Sequence, residues 1–187
     1  LRPNIGIRGS GSERSEKISL MEDGILIAPA PYSAPAAYYF PTVGRMEGVE
    51  VRKGSSQIKY GPFTTAGALN LVSTSIPVKL RGRVNVSAGD DNARTVHAHI
   101  GNAGKNFGFL AETYQSEVDG FKILDGGGNT GFDKRDYLLK FRAHTNRDAK
   151  IYQELSLKVS KTDETSNETY LGLTDFDFHE DPFRRYQ

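Results

Sequence analysis

The chain has 187 residues, 24 Lys and Arg against 23 Asp and Glu, a net charge of +1 and no cysteine. Near neutrality argues against a nucleic-acid binder, which carries a basic excess or stripe, and the missing cysteines exclude disulfides, thiolate zinc sites, iron–sulfur ligation and cysteine nucleophiles. Mean hydropathy is −0.51 and no apolar run nears the ~20 residues of a membrane-spanning helix, yet strands that alternate apolar and polar residues can cross a membrane at this hydropathy.

The chain starts at Leu1 in an extended-looking segment and stops at Gln187 after a charged run, as expected of an internal piece of a longer protein. Residues 4–8 are the first strand candidate, with Ile5 and Ile7 on one side, before a Gly9-Ser10-Gly11-Ser12 turn. Residues 17–21 and 25–28 flank Glu22-Asp23-Gly24. Asp-Gly between two β-prone runs predicts a hairpin, because Gly tolerates the positive φ of the turn. Pro29, Pro31, Pro35 and Pro41 prevent a regular helix or central strand and predict a shaped loop over 28–41. A short helical turn fits 41–48, a strand 49–52, a turn plus short helix 61–70, and a strand 68–74. The character of the sequence changes at Ile76-Pro77, so the expected domains are 1–76 and 77–187.

The second part is more regular. Val78, Leu80, Gly82, Val84, Val86 and Ala88 alternate with Lys79, Arg81, Arg83, Asn85 and Ser87, a strand with one apolar and one polar face. Its length fits the ~9–11 residues of a membrane-spanning strand. The pattern recurs over 94–100, 107–115, 137–144 and 151–161, with Leu110 and Tyr114 breaking its phase in the third run. Tight turns are expected at 102–106 and 145–150, and long polar stretches at 118–134 and from 162 onward. Short turns at one end and long loops at the other suit an outer-membrane barrel. Only 89–93 is short where this rhythm asks for a long connection.

The first part carries Ile7-Arg8-Gly9, Leu20-Met21-Glu22-Asp23-Gly24, Val49-Glu50-Val51-Arg52-Lys53-Gly54, Tyr60-Gly61-Pro62 and Gly67-Ala68-Leu69-Asn70-Leu71-Val72, in that order. This set resembles the C-terminal half of the plug domain of TonB-dependent outer-membrane receptors. The Ala30-Pro31-Tyr32 loop is most similar to the ferric dicitrate-type branch. The resemblance is close over residues 4–76. Beyond them it rests on the barrel-like strands and on the loop-like Tyr170-Leu171-Gly172-Leu173-Thr174 and Asp181-Pro182-Phe183-Arg184-Arg185-Tyr186. Lys53 stands where the family most often has Arg. The expected fold is mainly β: the C-terminal half of a small α+β plug domain, followed by about five antiparallel strands of an incomplete transmembrane β-barrel. A complete family barrel has about 22 strands.

The resemblance implies roles for particular residues. Arg8, Glu50 and Lys53 are expected at the plug–barrel contact, against the plain reading of solvated side chains on a polar strand. Tyr32, Ser33, Tyr38 and Tyr39 are candidates for substrate binding at the vestibule floor, through stacking or hydrogen bonding; packing of the rings is the competing reading. His97 and His99 point to one face of a strand, as a metal pair would. A third ligand is not evident in the sequence, so they read as polar lining and no metal site is assigned. Asp125-Gly126-Gly127-Gly128-Asn129 lacks the helix and Lys of a phosphate loop and reads as an extracellular loop. The acidic run 175–181 reads as a charged loop, and no residues are assigned to catalysis.

The family implies energised uptake of a ferric chelate across the outer membrane of a Gram-negative bacterium. The implied partners are TonB, reached through an N-terminal box absent here, outer-membrane lipid and the iron(III) chelate as transported ligand. No covalently bound cofactor, nucleic-acid partner or enzymatic activity is expected. Two alternatives stay open: a soluble all-β binding or adhesion module, and a receptor of this family for cobalamin or a glycan. The direction of the apolar faces separates a barrel from a soluble sandwich. A barrel leaves Val84, Val86, Leu139 and Phe141 exposed on an outer belt, and a sandwich buries them.

Overall fold

The computed structural model describes residues 3–12, 15–27, 39–54, 60–61, 65–167 and 171–186. The chain forms two compact units, Leu1–Thr74 and Ser75–Gln187.

The first unit holds β1 (Ile18–Glu22), β2 (Ile25–Leu26), a 3-10 turn (Val43–Arg45), β3 (Met46–Arg52) and β4 (Gly67–Ser73). They form one sheet in the order β2-β1-β4-β3. β1 runs parallel to β4, and the other two pairings are antiparallel. The hairpin expected at Asp23-Gly24 is present, with φ of 52° and 80° at the two turn residues. Two successive left-handed residues match the twist of the flanking strands. Every residue of β1 is buried. Ile18, Leu20, Ile27, Phe40, Leu69 and Leu71 make the core, with Ile5, Ile7, Met46 and Ala66 packed against it.

Two expectations fail in this unit. Residues 4–8 are not a strand. Ser15 Oγ accepts from Ile5 N at 3.0 Å and donates to Pro3 O at 3.2 Å, and positive φ at Arg8 and Gly9 turns the chain. Local side-chain bonds replace a ladder, while Ile5 and Ile7 still reach the core. The helix expected within 61–70 is absent among the described residues. Gly67 instead opens β4, which pairs on both sides, with β1 and β3. Tertiary pairing overrides the local propensity there.

The second unit holds β5 (Arg81–Ala88), β6 (Arg94–Ala103), β7 (Phe107–Val118), β8 (Ile123–Leu124), β9 (Phe132–His144), β10 (Glu154–Ser166), α1 (Asp175–Glu180) and β11 (Arg184–Arg185). All five alternating runs are strands, paired antiparallel in the order β10-β9-β7-β6-β5. β8 and β11 form a small parallel pair between the two long loops.

Strand ends depart from the pattern for physical reasons. β5 starts at Arg81 rather than Val78, because the incoming chain lies across the neighbouring strands first. A Cβ on Gly101 would sit 2.6 Å from Pro77 Cδ, and one on Gly108 would sit 2.9 Å from Ile76 Cγ2. β9 starts at Phe132, five residues before the hydrophobic alternation. Its first turns, Asp133 to Asp136, are charged, so hydropathy cannot register them, yet they pair with β7 and β10.

The decisive property is which face is sheltered. Val84 is 70% exposed and Leu139 59%, whereas Asp136 is 0% and Glu112 5% exposed. Val86, Ile100, Phe109, Phe141, Leu155, Leu157 and Val159 share the exposed face. The apolar side of the sheet is bare and the polar side is buried over its central strands, the reverse of a soluble sandwich. An apolar belt of this extent marks an interaction surface rather than ordinary protein exterior.

Candidate functional site

The polar face of the five-stranded sheet holds a cluster of buried and half-buried charged side chains. Strand alternation puts His97 and His99 of β6 on that face, and the register sets Glu112 of β7 directly opposite His99. His97 Nε2 hydrogen-bonds Glu112 Oε1 at 2.8 Å, and His99 Nδ1 lies 4.0 Å from the same oxygen. Tyr114 packs on the His97 ring, 5.8 Å between centroids. Farther along, Lys134 of β9 pairs with Glu164 of β10 at 2.9 Å. Buried Asp136 accepts from Thr162 Oγ1 at 2.7 Å. A buried carboxylate needs such donors to hold its charge.

The two long loops are tied together by a second cluster. Arg184 of β11 donates from Nε and Nη2 to both oxygens of Asp125, at 2.8 and 3.0 Å, a bidentate fork. Its Nη1 also donates to Asp177 on α1, which accepts from Tyr186 and from Thr174, the N-cap of that helix. The guanidinium lies over the Tyr186 ring, 5.1 Å from its centroid. Arg184 holds the Asp125 carboxyl below its ordinary value, and the hydroxyls of Thr174 and then Tyr186 hold Asp177 low. The same bonds push the Arg184 pKa up, with Asp125 the main cause, and raise Tyr186 through Asp177. The 175–181 run is therefore a short capped helix within a clasp. Asp125 and Asp177 are engaged structurally rather than poised for hydrolysis.

The residues singled out in the sequence fall as follows. Tyr32, Ser33 and Tyr38 lie outside the described residues. Tyr39 is about a third exposed, beside buried Phe40 and Pro41. Arg8 is exposed at the left-handed turn of the first segment. Glu50 and Lys53 are exposed on and just after β3, and Glu50 accepts from Asn70 Nδ2 at 3.1 Å.

A buried ion pair of the first unit does not follow from the sequence. Arg45, fully buried, donates from Nη1 to Glu22 Oε1 at 2.8 Å. Next to it Asp23 accepts from Ser73 N at 2.9 Å and Ser73 Oγ at 2.5 Å, locking the hairpin turn to the end of β4. Arg45 sits in the short helical turn expected over 41–48, and Glu22 in the hairpin motif. Their proximity follows only from the sheet order.

Comparison with solved structures places this architecture. The ferric citrate transporter FecA, in its unliganded form, superposes with a TM-score of 0.69 over 98% of this chain at 21% identity. Over its length the chain has the fold of the matching part of that transporter. The siderophore receptor PirA from Acinetobacter baumannii matches 87% of the chain with a TM-score of 0.63 at 16% identity. The copper transporter OprC matches 89% with a TM-score of 0.64, also at 16% identity. The chain spans 28%, 26% and 26% of those three proteins. No family model matches the sequence. The receptor fold accounts for both units: a small mixed sheet bearing the plug-like motifs, and a meander whose apolar face is bare.

Proposed function

We propose that this chain is the plug-to-barrel segment of a TonB-dependent transporter that imports a ferric chelate through the outer membrane of a Gram-negative bacterium. The observation that carries the reading is the exposed apolar belt of β5–β7, β9 and β10 opposite a face on which Glu112, Lys134 and Asp136 are buried. That arrangement suits strands with lipid on one side and a filled lumen on the other. The likeness to a ferric citrate transporter over nearly the whole chain supports iron as the cargo.

In this reading the chelate meets Tyr32, Ser33, Tyr38 and Tyr39 from the extracellular side, and Arg8, Glu50 and Lys53 meet the barrel wall. TonB, energised from the inner membrane, pulls on the plug through its N-terminal box and opens a path. No bond of the substrate is made or broken, so the protein is a carrier and not an enzyme.

The test is uptake by cells that carry the complete receptor as their sole route for the ligand. Under iron limitation, radiolabelled ferric citrate or a ferric siderophore is expected to accumulate, and deletion of TonB is expected to abolish accumulation. Uptake of cobalamin, a glycan or copper with no iron-chelate uptake overturns the assigned cargo. TonB-independent uptake overturns the mechanism.

A further inference from the structure

We propose that His97, His99 and Glu112 form a binding site for a divalent first-row transition-metal ion of the Zn2+ class. Two imidazoles and a carboxylate are a common ligand set for such ions, leaving a fourth position for water. Here they come from adjacent strands at fixed register. His97 and His99 are two residues apart on β6, and His99 faces Glu112 on β7. One donor atom from each residue lies within 4.8 Å of the other two.

The spacing suits the ion. Ligands bonded tetrahedrally at about 2.0–2.1 Å stand roughly 3.3 Å apart. Two of the separations, 2.8 Å from His97 Nε2 to Glu112 Oε1 and 4.0 Å from His99 Nδ1 to the same oxygen, bracket that value. Small rotations of the side chains suffice to reach it. The setting is also suitable: the Glu112 side chain is 0% exposed and those of His97 and His99 are 18% and 13%. His99 Nδ1 is buried without a hydrogen-bond partner, directed toward the cluster. An ion there satisfies this nitrogen and adds positive charge beside the buried carboxylate. Arg83, opposite His99 on β5, is a neighbouring cation; its Nε donates to Asn85 Oδ1 along its own strand at 3.1 Å.

The site is independent of which cargo the transporter takes. It is tested on the purified, metal-stripped full-length receptor in detergent micelles, with Zn2+ and Cu2+ as probes. One equivalent of Zn2+ is expected to bind in the micromolar range or tighter. His99→Ala and Glu112→Gln are expected to weaken it by more than the roughly 10–100-fold that loss of an outer-shell contact costs. His179→Ala, outside the cluster, is expected to leave it unchanged. Bound Cu2+ is expected to show paramagnetic coupling to two imidazole nitrogens in the parent protein and to one in His97→Asn or His99→Asn. Each variant is first checked for the heat-modifiable mobility of a folded barrel. A folded receptor that binds no stoichiometric Zn2+, or keeps its affinity in His99→Ala, overturns the proposal. So does unchanged two-nitrogen coupling in His99→Asn.

Discussion

The two units use strands of similar composition in opposite ways. In the sheet β2-β1-β4-β3, apolar side chains such as Leu20 and Leu71 converge on a core, and the few buried charges are paired. In the meander β5–β7, β9 and β10, most apolar side chains lie on the exposed face, and Glu112, Lys134 and Asp136 are buried on the other. Alternation alone gives the period of a strand and not the solvent on either side. The difference between the units is therefore one of environment, and each unit should respond differently to the same kind of substitution.

The largest effect is expected in the first unit. Arg45→Ala strips the buried Glu22 carboxylate of its cation and should cost about 3–5 kcal/mol. Denaturant titration of the full-length protein, followed by a probe in the first unit, measures it. A cost under 1 kcal/mol would mean that Glu22 reaches solvent, and the contrast in burial between the units would weaken.

The next effect belongs to the meander. Leu139→Arg, near the middle of β9 on the bare face, should cost about 2–4 kcal/mol if that face meets lipid. On an aqueous surface the same change stays within about 0.5 kcal/mol. Ser156→Arg on the opposite face of β10 is the matched control. Refolding into bilayers at graded denaturant separates the two outcomes, and equal behaviour of the pair would erase the proposed lipid side.

Asp23→Ala should come third, at about 1.5–3 kcal/mol, because it removes two bonds from a charged acceptor to Ser73. Asp23→Asn, which tolerates the left-handed turn, should recover part of that loss. Thermal unfolding of the first unit reports both.

The smallest effect is expected in the loop clasp, and it depends on pH. Asp125 and Asp177 have carboxyls held below their ordinary 3.8, so their contribution is present in full at neutral pH. It starts to fade as pH falls past that value and is lost once the folded groups are protonated. Protection factors for hydrogen exchange across 119–131 and 171–186, taken relative to the intrinsic rate at each pH, should fall below pH 4 in the parent protein. In Arg184→Gln they should already be low at pH 7, with global stability unchanged.

These contrasts also explain how far the sequence could be read. The five strands of the meander were legible because their hydrophobic period is long and regular, and the Asp23-Gly24 hairpin because its turn chemistry is local. The charged opening of β9 was invisible to hydropathy, and residues 4–8 failed because Ser15, ten residues away from Ile5, holds that backbone in place of a strand partner. His97 and His99 stood out as a pair, but Glu112 lies 13 residues beyond His99 and joins them only through the β6–β7 register. Arg45 and Glu22 are 23 positions apart and meet through the sheet order. Periodicity reports what a residue's own strand does; which side chains become neighbours is decided by pairing.

Within the described sheet, β5 and β10 each bond to a strand on one side only. Along the 13 residues of β10 the outward half of the backbone amides and carbonyls has no ladder partner in that sheet. In hydrocarbon each such group costs several kcal/mol, whereas at a water interface it is solvated. In the proposed lipid-facing arrangement both edges therefore need strand partners within the bilayer, since backbone groups left open in hydrocarbon are not tolerated.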